Sequence, residues 1–269
     1  MTIILALDAA WTATQPTGVA LVGSDGAGWR SVAVAPSYDS FLDLANGVPV
    51  LWTQGPFPGS VPDIPKLLDA AKRLANAPVN LVTIDMPIAT TPINGRREAD
   101  NEIAKKFGGR GCSTHTPSAT RPGPLGATIT AAFNREGFPI ATDKTSASLG
   151  CHLLEVYPHP ALLALLGRPY RVRYKVGKTR SYWPDLTLKE RIGALLSEFS
   201  AIHAALVNVF GPMGMPLPLA ANVLTLSALK RYEDALDALV CAWVGVRYMQ
   251  GTAIAHGDDT AAIWCPSDA

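Results

Sequence analysis

Four aspartates stand where carboxylates could meet at one reaction centre. Asp8 and Asp85 each follow a strongly apolar run that is typical of a strand buried on both faces. Asp234 and Asp237 lie three residues apart in an apolar, helix-like segment, so both share one face of that helix. Because an unpaired buried charge is costly, these groups need a neutralising partner. Carboxylates from separate strands and a helix can converge on a hard divalent cation such as Mg²⁺ or Mn²⁺.

Each of these aspartates also has an ordinary structural explanation. Acidic residues in the first turns of a helix, such as Asp234, are favoured by the helix dipole without any ligand. Asp85 precedes Met86 and Pro87, where an aspartate commonly serves as a turn residue. The chemical interpretation therefore depends on whether the fold brings these side chains together.

The elements around Asp8 and Asp85 predict that the two residues are neighbours. The first strand ends at Asp8, and residues 17–22 and 31–35, separated by a glycine-rich turn, predict an antiparallel hairpin. A helix over 64–75 with one apolar face then leads into the strand that ends at Asp85. A helix between two buried strands is a crossover, so the second strand should lie beside the first and parallel to it. That geometry places Asp85 next to Asp8.

A further carboxylate, Glu155, lies inside the apolar, strand-like segment 152–157. A glutamate in such a strand is energetically expensive unless it is paired or bound to a metal ion. Glu155 is therefore either another member of the acidic site or the partner of a basic residue.

Two basic segments predict contacts with phosphate. The first, 90–125, places arginines beside hydroxyl and glycine residues, although its mixed charges are also typical of a solvated helix with internal ion pairs. The second, 168–180, contains a Gly-Lys-Thr triplet. It lacks the glycine that a phosphate-binding loop needs five residues earlier, so a solvated basic loop is the alternative. The candidate phosphate contacts are Arg96, Arg97, Arg110 and Lys178.

The composition limits the class of protein. With 269 residues, 48% of them hydrophobic, the chain predicts one large domain, 1–269, with insertions at about 88–150 and 168–230. A formal net charge of +1 provides no global field that would attract nucleic acid. Four cysteines without CxxC spacing predict a reduced, cytoplasmic protein. The N-terminus has no basic residue before its apolar run, which does not suit a secretory signal.

The uncharged stretch 204–229 has the length of a membrane span. Glycines and prolines between positions 211 and 218 interrupt it, so two short buried pieces joined by a loop are expected instead. We therefore expect no membrane partner. Nothing in the sequence indicates an oligomeric state.

In combination, these segments resemble the RNase H-like fold of nucleases and Holliday-junction resolvases. More closely, they resemble the bacterial and archaeal family of unknown function labelled predicted RNase H-like nucleases. The resemblance spans nearly the whole chain in the expected order, and it implies an α/β fold. In that fold an antiparallel meander is followed by parallel strands, forming one mixed sheet flanked by helices with insertions. The resembling residues are Leu7-Asp8-Ala9-Ala10-Trp11, Ile84-Asp85-Met86-Pro87-Ile88, Gly95-Arg96-Arg97 with Asp100, Glu155-Val156-Tyr157-Pro158, Lys178-Thr179 and Glu233-Asp234-Ala235-Leu236-Asp237-Ala238.

The same resemblance implies a metal-dependent site. Asp8, Asp85 and one or both of Asp234 and Asp237 would bind Mg²⁺ or Mn²⁺, with Glu155 as a further candidate for catalysis. Two such ions about 3.5–4 Å apart would activate a water molecule for attack on a phosphodiester. The residues that would position the phosphate are Arg96, Arg97, Arg110 and Lys178.

The sequence leaves alternatives for the substrate and for the activity. The substrate would be nucleic acid, a short oligonucleotide or another small phosphate ester, and the near-neutral net charge favours the smaller ones. A non-catalytic scaffold or binding protein of the same fold would keep the acids for stability. An actin-like or sugar-kinase-like ATPase would need glycine and hydroxyl residues after the first strand. Ala9, Ala10 and Trp11 stand there instead and argue against it.

Overall fold

One mixed sheet of seven strands forms the centre of the protein in the computed structural model, which describes residues 1–146 and 150–269. The strands are β1 (Thr2–Asp8), β2 (Gly18–Ser24), β3 (Trp29–Ala35), β4 (Leu81–Ile84), β5 (His152–Val156), β6 (Ala253–Gly257) and β7 (Ala262–Pro266). Their order across the sheet is β3-β2-β1-β4-β5-β7-β6. The chain is therefore a mixed α/β protein.

The first three strands form the antiparallel meander that the sequence predicts. β1 pairs with β2 over its whole length, which sets Asp8 opposite Gly18, and β2 pairs in turn with β3. On its other side β1 pairs in parallel with β4, with Leu7 opposite Ile84. The prediction that Asp8 and Asp85 follow neighbouring parallel strands is confirmed.

The other half of the sheet extends beyond the predicted strands. β5 lies parallel to β4, β7 lies parallel to β5, and β6 closes this edge in the antiparallel direction. The sequence pattern does not predict β6, because its five residues include a single β-branched residue, Ile254, and most of them are partly exposed. An edge strand of this kind has little apolar periodicity from which it could be recognised.

Helices cover both faces of the sheet. Within the described residues they are α1 (Tyr38–Ala45), α2 (Ile64–Ala75), α3 (Glu98–Phe107), α4 (Pro124–Arg135), α5 (Pro158–Leu166), α6 (Thr179–Tyr182), α7 (Leu188–Phe210) and α8 (Lys230–Met249). The predicted helix over 64–75 is confirmed as α2. It begins where the side chain of Asp63 accepts a hydrogen bond from the N–H of Lys66, and it ends at Asn76 in the left-handed conformation.

The core is divided by the sheet into two layers. One face packs against α5, α7 and α8, and the opposite face packs against α1, α2 and α4. Along β1, Ile4 and Ala6 belong to the first layer, whereas Ile3, Leu5 and Leu7 belong to the second. Because both faces of this strand are buried, every position from Ile3 to its final aspartate is apolar.

α8 lies directly on the sheet, and two glycines permit the close approach. A Cβ atom added to Gly18 of β2 would overlap the backbone oxygen of Asp234. A Cβ atom added to Gly245 of α8 would lie 3.0 Å from the side chain of Thr83. The first half of α8 is therefore held against the strand end that carries Asp8.

The uncharged stretch 204–229 is only partly as predicted. Its first part forms the last turns of α7, which ends at Phe210 and is capped by Gly211. Its second part is buried only in places. Met213, Met215 and Leu229 belong to the core, whereas Leu219 and Leu224 are 72% and 84% exposed. Pro216 and Pro218 lack the N–H groups that a regular helix or strand would use, so residues 212–219 form irregular backbone.

Within the described part of the chain, α7 is the helix whose length and composition would allow it to cross a membrane. One side of α7 belongs to the core, through residues that include Ile192, Leu195, Phe199 and Leu206. The apolar composition of α7 is thus partly explained by its packing in the protein.

The two predicted insertions contain helices. Residues 88–150 include α3 and α4, and residues 168–230 include α6 and α7. Residues 147–149 of the first insertion lie outside the described residues. The basic segment 90–125 contains α3, whose Ala99 and Ile103 pack in a third apolar cluster with Leu163 of α5.

Candidate functional site

Asp8 and Asp85 lie at the carboxyl ends of two adjacent parallel strands. The backbone N–H of Asp85 donates a hydrogen bond to the carbonyl of Leu7 at 2.8 Å, which holds the two strand ends in register. Both aspartates are half-buried, and both line a cleft of about 630 Å³. Across the described residues, the ion pairs of the site involve other carboxylates, and neither Asp8 nor Asp85 has a basic partner within 4.0 Å. This pair is therefore open to a cation or a proton.

The first turns of α8 place three more acids beside this pair. Glu233, Asp234 and Asp237 are 3%, 2% and 0% exposed. The carboxyl groups of Asp8 and Asp234 lie close enough to share a proton, so the acids of the sheet and of the helix are adjacent. The fold thus brings four predicted site residues into one cluster with Glu233. They are Asp8, Asp85, Asp234 and Asp237.

Two lysines neutralise part of this acidic cluster. Lys230, one turn before Asp234 on α8, forms an ion pair with Asp234 and another with Glu233 at 2.8 Å. Lys175 forms an ion pair with Asp237 and lies 3.5 Å from Glu233. Because two lysines face five carboxyl groups, the cluster retains an excess of potential negative charge.

Asp237 and Glu233 are held by further protein groups. The hydroxyl of Tyr174 donates to Asp237 at 2.5 Å, and the N–H of Val176 donates to Glu233 at 2.5 Å. Lys175 lies between Tyr174 and Val176 in the sequence, so three consecutive residues bind Asp237 and Glu233 of α8. Asp237 is fully buried and does not line the cleft, so its oxygens are engaged by the protein.

The cleft carboxylates are chemically suited to a hard cation. Asp8, Asp85 and Asp234 all line the cleft, and they offer oxygen donors only, the type that Mg²⁺ and Mn²⁺ prefer. Among the described residues, no three His, Cys, Asp or Glu side chains are already arranged as a metal site. The ammonium group of Lys230 occupies one oxygen of Asp234, but the Lys230 side chain is 49% exposed and has room to move. Asp8, Asp85 and Asp234 are thus the residues that could hold a metal ion.

Burial and mutual repulsion raise the pKa values of these carboxyl groups. Burial is the main reason that the pKa of Asp8 lies well above its ordinary value, and Asp237 and Asp234 add to the shift. Burial likewise raises the pKa of Asp85 to about 7 and that of Asp234 to about 6, although lysine ammonium groups oppose both shifts. In the metal-free protein these groups therefore take up protons at higher pH than an ordinary aspartate, and a divalent cation would have to displace those protons.

This arrangement predicts an unusual dependence of stability on pH. A carboxyl group whose pKa is higher in the folded state than in the unfolded state stabilises the fold when protonated, and that stabilisation is lost as the pH rises through the folded pKa. Without divalent cations, the free energy of unfolding should therefore fall between pH 4 and pH 7. In the Asp85→Asn variant, the decrease in the free energy of unfolding between pH 4 and pH 7 should be smaller than in the wild type by about 1–3 kcal/mol.

Urea denaturation in EDTA at a series of pH values would measure the effect. Asp69→Asn on α2 is a matched control, because the Asp69 side chain is 66% exposed and lies outside the cleft. A wild-type curve that is identical to the Asp85→Asn curve between pH 4 and pH 7 would contradict the assignment of Asp85 as a repelled, buried carboxyl.

Glu155 and Arg97 form a buried ion pair. Two N–H groups of Arg97 donate to the two carboxylate oxygens of Glu155 at 2.6 and 2.7 Å, which is a bidentate arrangement. The same guanidinium donates to Asp100 at 3.0 and 3.1 Å, and the Arg97 side chain is 8% exposed. Of the two interpretations of Glu155, the structure therefore favours the second, in which Glu155 is the partner of a basic residue. The geometry does not favour a catalytic role for Glu155 or a substrate contact for Arg97.

Two other predicted phosphate contacts, Arg96 and Arg110, form hydrogen bonds with other residues of the protein. Arg96 donates to the side chain of Asn101 at 2.8 Å and to the backbone carbonyl of Asp100 at 2.7 Å. Arg110 donates to the two backbone carbonyls of residues 168–169, each at 3.1 Å. Neither arginine lines the acidic cleft, so the structure places both outside the site.

Lys178 is the predicted phosphate contact that does line the cleft. It is accompanied there by basic residues that the sequence pattern does not single out. Lys230 is recognisable from sequence by its spacing, since it lies four residues before Asp234 on one helix. The others lie in the two predicted basic segments, 90–125 and 168–180, but nothing in the local sequence distinguishes them from basic residues that lie outside the cleft. They are His115, Arg121, Arg171 and Lys175.

A second cleft of about 600 Å³ adjoins the first, and the two share Pro87. Its lining contains proline, threonine, asparagine and aliphatic residues and no charged side chain. This uncharged cleft offers apolar surface and a few threonine hydroxyl groups, whereas the titratable groups lie in the first cleft.

Comparison with known proteins identifies a family. Searches of the curated proteins and of the solved structures gave no match. A family described as a protein of unknown function, DUF429, matches residues 14–262, which include Asp85, Asp234 and Asp237. Because this match covers most of the chain, the protein belongs to the DUF429 family.

Proposed function

We propose that this protein is a metal-dependent phosphodiester hydrolase with an RNase H-like fold. The observation that carries the proposal is the pair of Asp8 and Asp85, which leave adjacent parallel strands and face a cleft without basic partners among the described residues. Asp234 joins them from α8, where its carboxyl group lies beside that of Asp8. Carboxylates that converge from two strands and a helix are suited to a divalent cation in a hydrolytic site.

The topology supports the RNase H-like part of the proposal. The strand order β3-β2-β1-β4-β5, an antiparallel meander followed by parallel strands, is the arrangement that the sequence resemblance implies. Asp8 and Asp85 then occupy the carboxyl ends of the central strands, where ligands of open α/β sheets commonly bind. β7 and β6 extend this arrangement at the far edge.

The chain supplies three kinds of group for such a reaction. Asp8, Asp85 and Asp234 would hold Mg²⁺ or Mn²⁺, which lowers the pKa of a bound water and stabilises negative charge on phosphate oxygens. Lys175 and Lys230 limit the repulsion among the acids of α8. Cationic residues of the cleft, such as Arg171 and Lys178, would bind the phosphate and offset the charge that develops during attack. The candidate substrates are nucleic acid, a short oligonucleotide or a small phosphate ester.

A Mn²⁺ titration tests the proposal. We expect Mn²⁺ to raise the melting temperature of the wild-type protein by roughly 2–5 °C, because a ligand that binds only the folded state stabilises it. Asp85→Asn should abolish that rise, since it removes one oxygen ligand and its charge. Asp69→Asn is the matched control and should keep the wild-type rise.

One observation favours a second candidate, a non-catalytic scaffold of the same fold. Lys175 and Lys230 already pair with the acids of α8, which would allow the cluster to serve stability alone. A melting temperature that is unchanged by Mn²⁺ in the wild type would favour this scaffold. Stabilisation that requires ATP would instead favour a phosphotransferase.

A further inference from the structure

The cleft contains a group of basic side chains in addition to the acidic cluster. We call His115, Arg121, Arg171 and Lys178 the basic group; all four line the cleft. In the described part of the chain, none of the four forms an ion pair with a carboxylate within 4.0 Å, whereas Lys175 and Lys230 do. The basic group therefore carries positive charge that the protein itself does not neutralise.

Arg171 is held in place by neutral partners. Its guanidinium donates to the carbonyl of Gly111 at 3.3 Å and lies 2.6 Å from the Nε2 atom of His159. Burial, together with nearby cations, lowers the pKa of His159 well below its ordinary value, so the imidazole is neutral and its Nε2 accepts from Arg171. The Nε atom of Arg171 is buried without a partner. Because the partners of Arg171 are neutral, its half-buried guanidinium keeps a full positive charge that is available to pair with an anion.

The other members of the basic group surround the same space. Partial burial lowers the pKa of His115, and the positive charges of Arg171, Lys178 and Arg121 lower it further. The Arg121 guanidinium stacks on the ring of Trp11, 5.5 Å from its centre, which orients the side chain without neutralising it. The local potential is therefore positive although the chain as a whole is nearly neutral.

Two polar atoms of the cleft residues also lack partners. The hydroxyl of Thr114, the neighbour of His115, is buried without a hydrogen bond, and so is the Nδ1 atom of His159. Since the Nε2 of His159 accepts from Arg171, its Nδ1 carries the hydrogen and is a donor. Buried donors without partners beside unpaired cations indicate a site for an anion rich in oxygen.

We propose that the basic group is a metal-independent subsite for a terminal phosphate monoester, so the substrate is recognised at a phosphorylated end. This inference rests on the proposed function for the location of the reacting bond, but the binding of the anion does not depend on it. Arg171, Arg121 and Lys178 would contact the phosphate oxygens, and the hydroxyl of Thr114 would donate to them. The acidic cluster then lies beside the bond to be cleaved.

A terminal monoester fits this subsite better than an internal phosphate of a long chain. A monoester carries two negative charges near neutral pH, whereas a diester carries one, and three cations with neutral partners favour the greater charge. Arg171 is half-buried within the cleft, whereas a long polyanion would need several phosphate contacts along an exposed surface.

Thermal denaturation with inorganic phosphate tests this subsite. The protein would be titrated with phosphate in EDTA at pH 8, at constant ionic strength maintained with NaCl, with dimethyl phosphate as the diester comparison. We expect phosphate to raise the wild-type melting temperature by roughly 2–5 °C, and dimethyl phosphate to raise it by less than half as much. Lys178→Met and Arg121→Gln should each lose most of the rise. These two residues are exposed, so both variants should fold even if Arg171→Met does not.

Two control variants separate this inference from the proposed function. Asp85→Asn should keep the response to phosphate while it loses the response to Mn²⁺, and Arg180→Met, an exposed arginine outside the cleft, should keep both. A wild-type protein that phosphate does not stabilise would overturn the subsite, as would equal stabilisation by dimethyl phosphate. Loss of the phosphate response in Asp85→Asn would also overturn it, because the anion would then depend on the acidic cluster.

Discussion

Asp8→Asn and Asp85→Asn should each lower Mn²⁺-dependent phosphodiester hydrolysis by roughly a thousandfold or more. Each substitution removes a negatively charged oxygen ligand from the proposed metal site, where a metal ion would contribute several kcal/mol of charge stabilisation. The side chain keeps its size, and the fold loses no ion pair, because neither aspartate has a basic partner among the described residues. The loss should therefore appear in catalysis and metal binding without loss of the folded structure.

Hydrolysis of bis(p-nitrophenyl) phosphate in Mn²⁺ would measure this effect, with a short oligonucleotide as a second substrate. Circular dichroism would establish that the variants are folded, and Asp69→Asn, exposed on α2, should retain wild-type activity. Comparable hydrolysis by wild type and by Asp85→Asn would show that Asp85 does not take part. No hydrolysis by the wild type on either substrate would favour the scaffold.

The largest expected loss of stability comes from Arg97→Leu. Arg97 binds two buried carboxylates, Glu155 and Asp100, at hydrogen-bond distances between 2.6 and 3.1 Å. Removing one member of a buried ion pair leaves an uncompensated charge, which typically costs about 3–5 kcal/mol. The free energy of unfolding from urea denaturation should fall by that amount.

Arg96→Leu provides a matched control, because Arg96 is the neighbouring arginine and is exposed. Its loss should cost about 1 kcal/mol or less, as is usual for exposed polar contacts. If Arg97→Leu instead left stability unchanged and weakened substrate binding, then Arg97 would be a substrate contact, as the sequence alone predicts. The double variant Arg97→Leu with Glu155→Leu should recover part of the lost stability, since it removes one unpaired charge.

The position of the acidic pair is predictable from sequence because strand burial leaves a strong local pattern. The apolar runs before Asp8 and Asp85, with a helix between them, indicate parallel neighbours, and the register confirms this. Asp234 and Asp237 are recognisable from their helical spacing. Short-range periodicity is a property of the chain itself, so these four positions can be identified from the sequence.

Apart from Lys230, the partners of the buried acids are harder to predict, because they come from distant segments. Lys175 and Asp237 are 62 residues apart, and Arg97 and Glu155 are 58 residues apart, so no local pattern connects them. The sequence pattern therefore assigns Arg97 to the substrate, whereas the fold uses it to neutralise Glu155. A basic residue in a segment rich in polar residues has the same local signature in either role.

The separation between helix and sheet at the acidic cluster is determined by backbone packing. Gly18 stands opposite Asp8 on β2, and its missing side chain leaves the space that the carbonyl of Asp234 fills. The distance across which two carboxylates could share an ion is thus a property of main-chain atoms, which do not change rotamer. The carboxylate side chains can be exchanged without altering that dimension, whereas any side chain at position 18 would push the helix away from the sheet and enlarge it.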